Sequence, residues 1–209
     1  MSYDNWNEWY QAEKSNVSKE YADFVIHPAG MEGEEEWLKT GRQNFEYTVD
    51  EINLGDNETV LEYGCGNSRI LRHFVNYKAY GVDIVPDFVE ESRDLGCDAY
   101  LLEDFNLKVD KVFSLTVFIH LRKSQAITAL KYIYDHLEDD GEAHIQALIY
   151  EKDKDATGFS DMTCYREETF RAMAEECGFK VIELFTNKGD IDAGMYGQFH
   201  NKYQVLKKY

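Results

Sequence analysis

The stretch Thr59-Val60-Leu61-Glu62-Tyr63-Gly64-Cys65-Gly66-Asn67-Ser68-Arg69 decides the fold. Its first five residues, rich in β-branched and aromatic side chains, predict a strand. Gly64 and Gly66 then let the backbone turn tightly and approach a ligand with no Cβ in the way. A helix is expected from about Ser68, with Ile70, Leu71, Phe74 and Val75 on one face. Strand, glycine turn and helix open a parallel α/β unit, whose ligand site lies beyond the carboxyl ends of the strands near the switch of strand order. Glu62 places a carboxylate at the strand's last turn, facing that ligand.

Working outward, Ala79–Val82 reads as a second short strand. It ends at Asp83, nineteen positions after Gly64, the spacing at which an acidic side chain grips ribose hydroxyls. Pro86 suits the first turn of a helix that aligns Phe88, Ser92 and Leu95. Ala99–Leu102 and Lys111–Thr116 supply a third and a fourth strand. Arg122–Leu137 repeats Ala126, Leu130, Ile133 and Leu137 at helical spacing. Gly141 restarts the chain into a fifth strand, Ala143–Ile149. A helix from about Arg166 to Cys177 stops at Gly178, placed for a left-handed cap. Lys180–Phe185 and about Gly197–Leu206 follow with no helix between them, which predicts an antiparallel pair at the sheet edge. The expected fold class is α/β: a Rossmann-like seven-stranded sheet, mostly parallel, with an antiparallel terminal hairpin and helices on both faces.

Upstream, Glu34–Ile52 reads as a helix with Trp37, Gly41, Phe45, Val49 and Ile52 on one stripe. The aromatic-rich stretch before it (Tyr3, Trp6, Trp9, Tyr10, Tyr21, Phe24) is expected to cap the sheet or pack its flank. At 209 residues the chain fits one domain of ordinary size, with no linker composition and no repeat. The expected organisation is residues 1–209 as a single domain, 1–53 an N-terminal cap or helical segment and 54–209 the cofactor-binding core.

Forty acidic against 22 basic residues give a net charge of −18. That surface repels phosphate backbones and argues against a nucleic-acid partner, which ordinarily meets a basic patch. Cys65, Cys97, Cys164 and Cys177 lack zinc-type or Cys-x-x-Cys spacing, so no metal is expected and the thiols read as free. The first residues, with Asp4, Trp6 and Glu8, do not form a signal peptide. No apolar run approaches the ~20 residues that span a bilayer. A cytoplasmic setting without membrane partners is the expectation.

The ligand can be narrowed further. A dinucleotide fold wants a third glycine at position 69 for close helix packing, and this chain has Arg69. Glu62 beside a pyrophosphate would also repel it, whereas a carboxylate there suits a cationic amino group. A glycine turn, an acid before it and an acid ending the second strand together describe a nucleoside that carries an amino acid.

These residues resemble the class I S-adenosylmethionine-dependent methyltransferases, particularly small-molecule-type members whose first motif reads Gly-Cys-Gly-x-Gly-Arg. The likeness takes in Trp37-Leu38-Lys39-Thr40-Gly41-Arg42, Val60 to Phe74, Gly81-Val82-Asp83-Ile84, Val112 to Leu121, Gly141 to Ala147 and Tyr165 to Phe179. One departure is Ser68, where the family has its third glycine; serine is small enough for the turn to survive.

The resemblance implies S-adenosylmethionine as cofactor, with S-adenosylhomocysteine as product. Glu62 would then hold the methionine amino group, directly or through water. Tyr63, Gly64, Cys65 and Gly66 would border the methionine portion, with Gly41 and Arg42 nearby. Asp83 would accept the ribose hydroxyls and Ile84 would pack on the adenine. Glu103, Asp104 and Phe105 fit the position that reads the adenine amino group, Asp104 foremost. Thr116 and Val117 would line the floor beneath the sulfonium.

A sulfonium is already a good leaving group, so aligning the acceptor supplies much of the rate. A general base is needed only for a protonated acceptor, and no fixed catalytic signature follows. His120, just after the fourth strand, is the first candidate. His144, alternating with Gln146 on the fifth strand, is another, and Tyr10 with Trp9 could close over the cofactor. The segment Tyr150–Cys164, with Asp153, Asp155, Thr157, Gly158 and Ser160, is where acceptor specificity is expected. The expected activity is methyl transfer to oxygen or nitrogen of a small molecule. A protein or RNA methyltransferase, and a non-catalytic cofactor-binding or interaction protein on the same fold, stand as alternatives.

Overall fold

Val60, Leu61 and Glu62 are successive residues of one strand, yet all three are buried. A strand covered on both faces belongs to the interior of a parallel sheet. The computed structural model describes residues 6–13, 33–156, 162–186 and 200–208. They divide between two compact units, Met1–Phe105 and Asn106–Tyr209, taken in turn below.

The first unit begins with α1 (Trp6–Glu13) and α2 (Glu34–Glu51), followed by β1 (Thr59–Tyr63), β2 (Lys78–Asp83), α3 (Pro86–Asp94) and β3 (Ala99–Leu101). β1 pairs in parallel with β2, and β2 with β3. Pro86 occupies the first turn of α3, where a missing N–H costs nothing. The buried face of α2 is rotated from the expected stripe. Trp37, Gly41, Asn44 and Thr48 are buried, as is Ile52 beyond the helix end, whereas Phe45 and Val49 are only half-buried. Phe45 meets the ring of Phe74 edge-on at 4.7 Å.

The helix expected from Ser68 does not form. The backbone is left-handed at Gly64 (φ 78°), Gly66 (φ 51°) and again at Ser68 (φ 61°), and a left-handed residue cannot propagate a right-handed helix. The chain runs through turns into a short 3-10 helix at Leu71–His73, leaving Val75 82% exposed. Ser68 therefore stands at a position whose geometry asks for glycine. A core of Cys65, Leu71, Val89 and Ala99, with Ala79, Cys97 and Leu101 against it, lies between this segment and the strands. Gly81 sits where a Cβ would come within 2.6 Å of Leu71 Cδ2 and 2.8 Å of Cys65 Sγ.

The second unit holds β4 (Val109–Ser114), α4 (Lys123–His136), β5 (Leu137–Ile149), α5 (Glu167–Glu176), β6 (Lys180–Thr186) and β7 (His200–Lys207). β5 starts earlier than Ala143. Leu137 pairs with Val109, the register then shifts, and Glu142 pairs with Lys111. Asp140, at φ 66°, absorbs the irregularity. Gly178, at φ 97°, caps α5 as expected: its N–H reaches Glu175 O, and Phe179 N–H reaches Ala174 O. β7 pairs antiparallel with β5 on one side and with β6 on the other. The buried Lys208 ammonium donates to Tyr134 O (3.1 Å) and Leu137 O (2.8 Å), closing the end of α4.

Among the described residues, seven strands stand in the order β3-β2-β1-β4-β5-β7-β6. The sheet is mixed, mostly parallel with antiparallel C-terminal strands, as the sequence predicts. Among the described residues no helix is long and apolar enough to cross a membrane.

Two substitutions test this packing. Gly81→Ala forces a methyl group into filled space and is expected to cost about 1–3 kcal/mol, lowering the melting temperature by roughly 3–10 °C. Ser68→Gly relieves a left-handed side chain and is expected to gain about 1 kcal/mol. Thermal unfolding followed by circular dichroism checks both; an unchanged or lowered melting temperature for Ser68→Gly would contradict the reading of that turn.

Candidate functional site

In the first unit the glycine turn is built against the end of β2. The N–H groups of Gly64 and Cys65 both donate to Val82 O, at 2.8 and 3.0 Å. The next residue, Asp83, takes one backbone donor on each carboxylate oxygen: Gly66 N–H on Oδ2 and Val85 N–H on Oδ1, both at 2.9 Å. An ionised carboxylate offers about four lone-pair sites, so each oxygen keeps capacity for a further donor. Burial raises the Asp83 pKa, and the Val85, Gly66 and Ile84 N–H groups offset this in part. Ser92 Oγ donates to Gly66 O at 3.1 Å, tying α3 to the same turn. A Cβ at Gly66 would meet nothing within 4 Å, so the turn's backbone is open on that side.

Glu62 is the unusual group. Its carboxyl is buried, and Oε2 has no hydrogen-bond partner. Burial pushes its pKa up to about 8, against the pull of Arg69 and of the Leu71 N–H, with Asp83 adding to the rise. An orphaned carboxylate oxygen is costly in a protein interior. A cationic donor reaching Oε2 would relieve it.

Arg69 is itself nine-tenths buried. Its guanidinium donates to Thr40 Oγ1 at 3.4 Å. The Asn44 carboxamide, with its oxygen toward the guanidinium, accepts from Nη2 and Nη1 at 3.0 and 3.1 Å. A Cβ at Gly41 would lie 2.3 Å from Arg69 O, so the Arg69 backbone occupies the notch that Gly41 leaves in α2. Arg42 points elsewhere, exposed and paired with Glu46 at 3.2 Å.

The remaining expected positions of this unit separate into two groups. Ile84 is 40% exposed at the tip of β2, an apolar side chain available to cover a ring. Tyr10 packs on Phe88, ring centroids 4.6 Å apart, and clusters with Val85. That brings α1 to the turn that follows Asp83. Tyr63 is half-buried, and Glu103 and Asp104 are exposed. By contrast, Phe105 is buried between the rings of Tyr80 and Tyr100, and the Cys65 thiol points into the core, leaving only its backbone to a ligand. Trp9's side chain lies outside the described residues.

In the second unit Thr116 is held at φ 59°, a strained conformation for a β-branched residue. Its N–H donates to Gln146 Oε1 at 2.7 Å. Val117 is half-buried and leads into the 3-10 turn Phe118–His120. Burial lowers the His120 pKa to about 4, so the imidazole is neutral at pH 7. The turn is braced by the segment after the 150s loop: Thr163 N–H donates to Ile119 O at 2.7 Å, and the Tyr165 hydroxyl to Phe118 O at 3.2 Å and to Leu121 O. Asp155 Oδ1 accepts from Lys123 N–H at 2.8 Å, and Asp153 accepts from Arg166 and Thr169. Thr157, Gly158 and Ser160 lie outside the described residues. His144 is buried in the middle of β5, its Nε2 3.9 Å from Glu142 Oε2. His144 and Lys111, the latter 2.8 Å away, hold the Glu142 carboxyl down at about 2 against the cost of burial.

Sequence reasoning missed Asn44, Thr40, Ser92, Thr163 and Tyr165 as supports of these elements. Only Asn44 carried a usable signal, since it falls on the Trp37–Gly41–Thr48 stripe.

Solved structures share this architecture. The magnesium protoporphyrin IX methyltransferase of Synechocystis PCC 6803, crystallised with bound S-adenosylmethionine, superposes with a TM-score of 0.58 at 14% identity, covering 82% of this chain and 79% of that one. A match in the complex between the Haloferax volcanii Trm112 methyltransferase activator and a methyltransferase gives 0.62 at 18% identity, over 92% and 96% of the chains. Coclaurine N-methyltransferase, bound to N-methylheliamine and S-adenosylhomocysteine, gives 0.62 at 12% identity, over 80% and 72%. In sequence, 56 residues are 32% identical to an uncharacterized methyltransferase of Schizosaccharomyces pombe; they make up 26% of this chain and span about a fifth (22%) of that protein. No family model matches the chain. What the strand order and the glycine turn predict, these likenesses bear out: the chain has the class I S-adenosylmethionine-dependent methyltransferase fold.

Proposed function

We propose that the chain is an S-adenosylmethionine-dependent methyltransferase that transfers the methyl group to oxygen or nitrogen of a small molecule, its residues 1–209 serving as one methyltransferase domain. The observation that carries the donor assignment is Glu62 Oε2, a buried carboxylate oxygen with no protein donor. It stands two residues before Gly64, which opens a glycine turn whose backbone is open at Gly66. The ammonium of the donor's methionine portion satisfies that oxygen by a charge-assisted hydrogen bond. The ribose hydroxyls fit the spare lone pairs of Asp83, and Ile84 and Tyr10 flank the position of the adenine. Asp104 reads the adenine amino group, and Gly64, Cys65 and Gly66 contribute backbone.

When bound, the cofactor supplies an electrophilic methyl group on sulfur. The residues of this chain bind and orient it. His120, neutral at pH 7, is proposed to accept a proton from a hydroxyl or ammonium acceptor. Thr116 and Val117 are assigned to the cofactor's reacting end, and His144 to the acceptor side. The small-molecule reading draws on two of the likenesses, to a protoporphyrin methyltransferase and to an alkaloid-type N-methyltransferase by their names. The −18 net charge favours a neutral or cationic acceptor over a phosphate-rich one, and a cytoplasmic setting is proposed with it.

Two measurements test the donor assignment. Asp83→Ala is expected to weaken S-adenosylmethionine binding at least tenfold by calorimetry; undiminished affinity would place the ribose elsewhere. Glu62 also marks stability. Its folded pKa of about 8 lies above the ordinary 4.5, so the folded state holds this proton more tightly than the unfolded one. Its stabilising share is complete below about pH 4.5 and is lost as pH rises through 8. Glu62→Gln is therefore expected to raise the stability of the ligand-free protein, followed through its melting temperature, increasingly from pH 5 to 8, levelling off above, by an amount on the order of a few kcal/mol. The same variant should lose the thermal shift that S-adenosylmethionine gives. A pH-independent difference would remove Glu62 as the orphaned group.

A further inference from the structure

We propose that Arg69 is a positioning residue of the donor site: it holds α2 and the glycine turn as one piece and supplies the charge against which Glu62 ionises. The inference rests on the donor reading above and extends it to the N-terminal helix. Three contacts join the two segments at this one residue. Nη1 and Nη2 both donate to the Asn44 carboxamide oxygen, Nη1 reaches Thr40 Oγ1, and the Arg69 carbonyl fills the notch at Gly41. Asn44 and Gly41 are one helical step apart on α2, and Thr40 adjoins Gly41, so the helix grips side chain and backbone together. A guanidinium is suited to this because its planar fork donates in several fixed directions while keeping its charge.

The grip has an electrostatic consequence. A buried guanidinium keeps its charge in the protein interior. That charge favours the ionised form of the Glu62 carboxyl. Among the described residues, the groups that bear on Glu62 are Arg69, which favours its ionised form, Asp83, which opposes it, and the Leu71 N–H; the Cys65 thiol lies within the influence of both acids. Arg69 is the only cation among them. When the donor's ammonium arrives, Glu62 must release its proton, and Arg69 sets how readily it does so. Because Asn44 and Thr40 fix where the guanidinium sits, α2 takes part in donor binding through Arg69.

The test is calorimetric titration with S-adenosylhomocysteine from pH 6 to 9 on the whole chain, comparing wild type with Arg69→Lys, Arg69→Met and Asn44→Ala. Wild-type affinity is expected to climb with pH and level off near 8, with proton release on binding. Arg69→Met should weaken binding at pH 7 about tenfold and move the levelling point up by about one unit. Arg69→Lys, which keeps the charge and loses the fork, should keep the levelling point and lose less than fivefold. Hydrogen exchange gives the second readout: binding should slow exchange in residues 34–51 of the wild type, and Asn44→Ala should abolish that slowing. A levelling point unmoved in Arg69→Met, or moved equally in Arg69→Lys, would overturn the electrostatic role. If Arg69→Met does not fold, the Arg69→Lys and Asn44→Ala arms decide: slowed exchange in residues 34–51 that survives Asn44→Ala would overturn the coupling. A wild-type protein that binds no S-adenosylhomocysteine would instead bring down the donor reading and this inference with it.

Discussion

A carboxylate buried at the end of a central strand with one oxygen unmatched is a standing cost, and the surroundings of Glu62 are arranged around it. Two glycines with positive φ shape the turn that follows it, the charge of Arg69 favours its ionised form, and the Asp83 carboxylate is pinned by backbone donors. Proteins retain unsatisfied buried groups chiefly where a ligand completes them. An interior that had merely to be stable would place an apolar residue at position 62, as it does at Val60 and Leu61.

The first unit keeps this site rigid by close approach. Gly41 admits a carbonyl and Gly81 admits a thiol and a leucine methyl, while α1 lays Tyr10 over Phe88. Each of these contacts removes a way for the turn to shift. In the second unit the same economy holds the His120 turn, where three carbonyls of four successive residues are taken up by Thr163 and Tyr165. The segment that follows the 150s loop and the histidine it braces are thereby made mechanically one.

The strand Thr59–Tyr63 was legible to the residue, because strand propensity stops there at a glycine. The end of the second strand at Asp83 was legible too. Gly178 announced its cap, since no other residue takes φ 97° cheaply. What failed was whatever depended on a partner far along the chain. Asn44 lies on the buried stripe of α2, but what it is buried against shows only when Arg69, twenty-five positions on, is placed beside it. Ile70, Leu71 and Phe74 satisfy a helical period, yet Ser68 vetoes the helix through a backbone angle that serine does not advertise. The start of β5 was hidden because Asp139, Asp140 and Gly141 look like a turn, whereas they lie within the strand beside an irregular register. Tyr165 looked like one more aromatic; its hydroxyl acts on carbonyls more than forty residues away.

The place of β7 has a consequence for how the protein is made. It is inserted between β5 and β6, although both of those are synthesised before it. Until β7 emerges, β5 offers an apolar edge over Ala143–Ile149 with nothing to pair with, and β6 has no neighbour among the described strands. Such an edge is a template for pairing with other chains, and closing it requires contacts distant in sequence, which form slowly. The nascent second unit is therefore open to mispairing along β5 until β7 slots in.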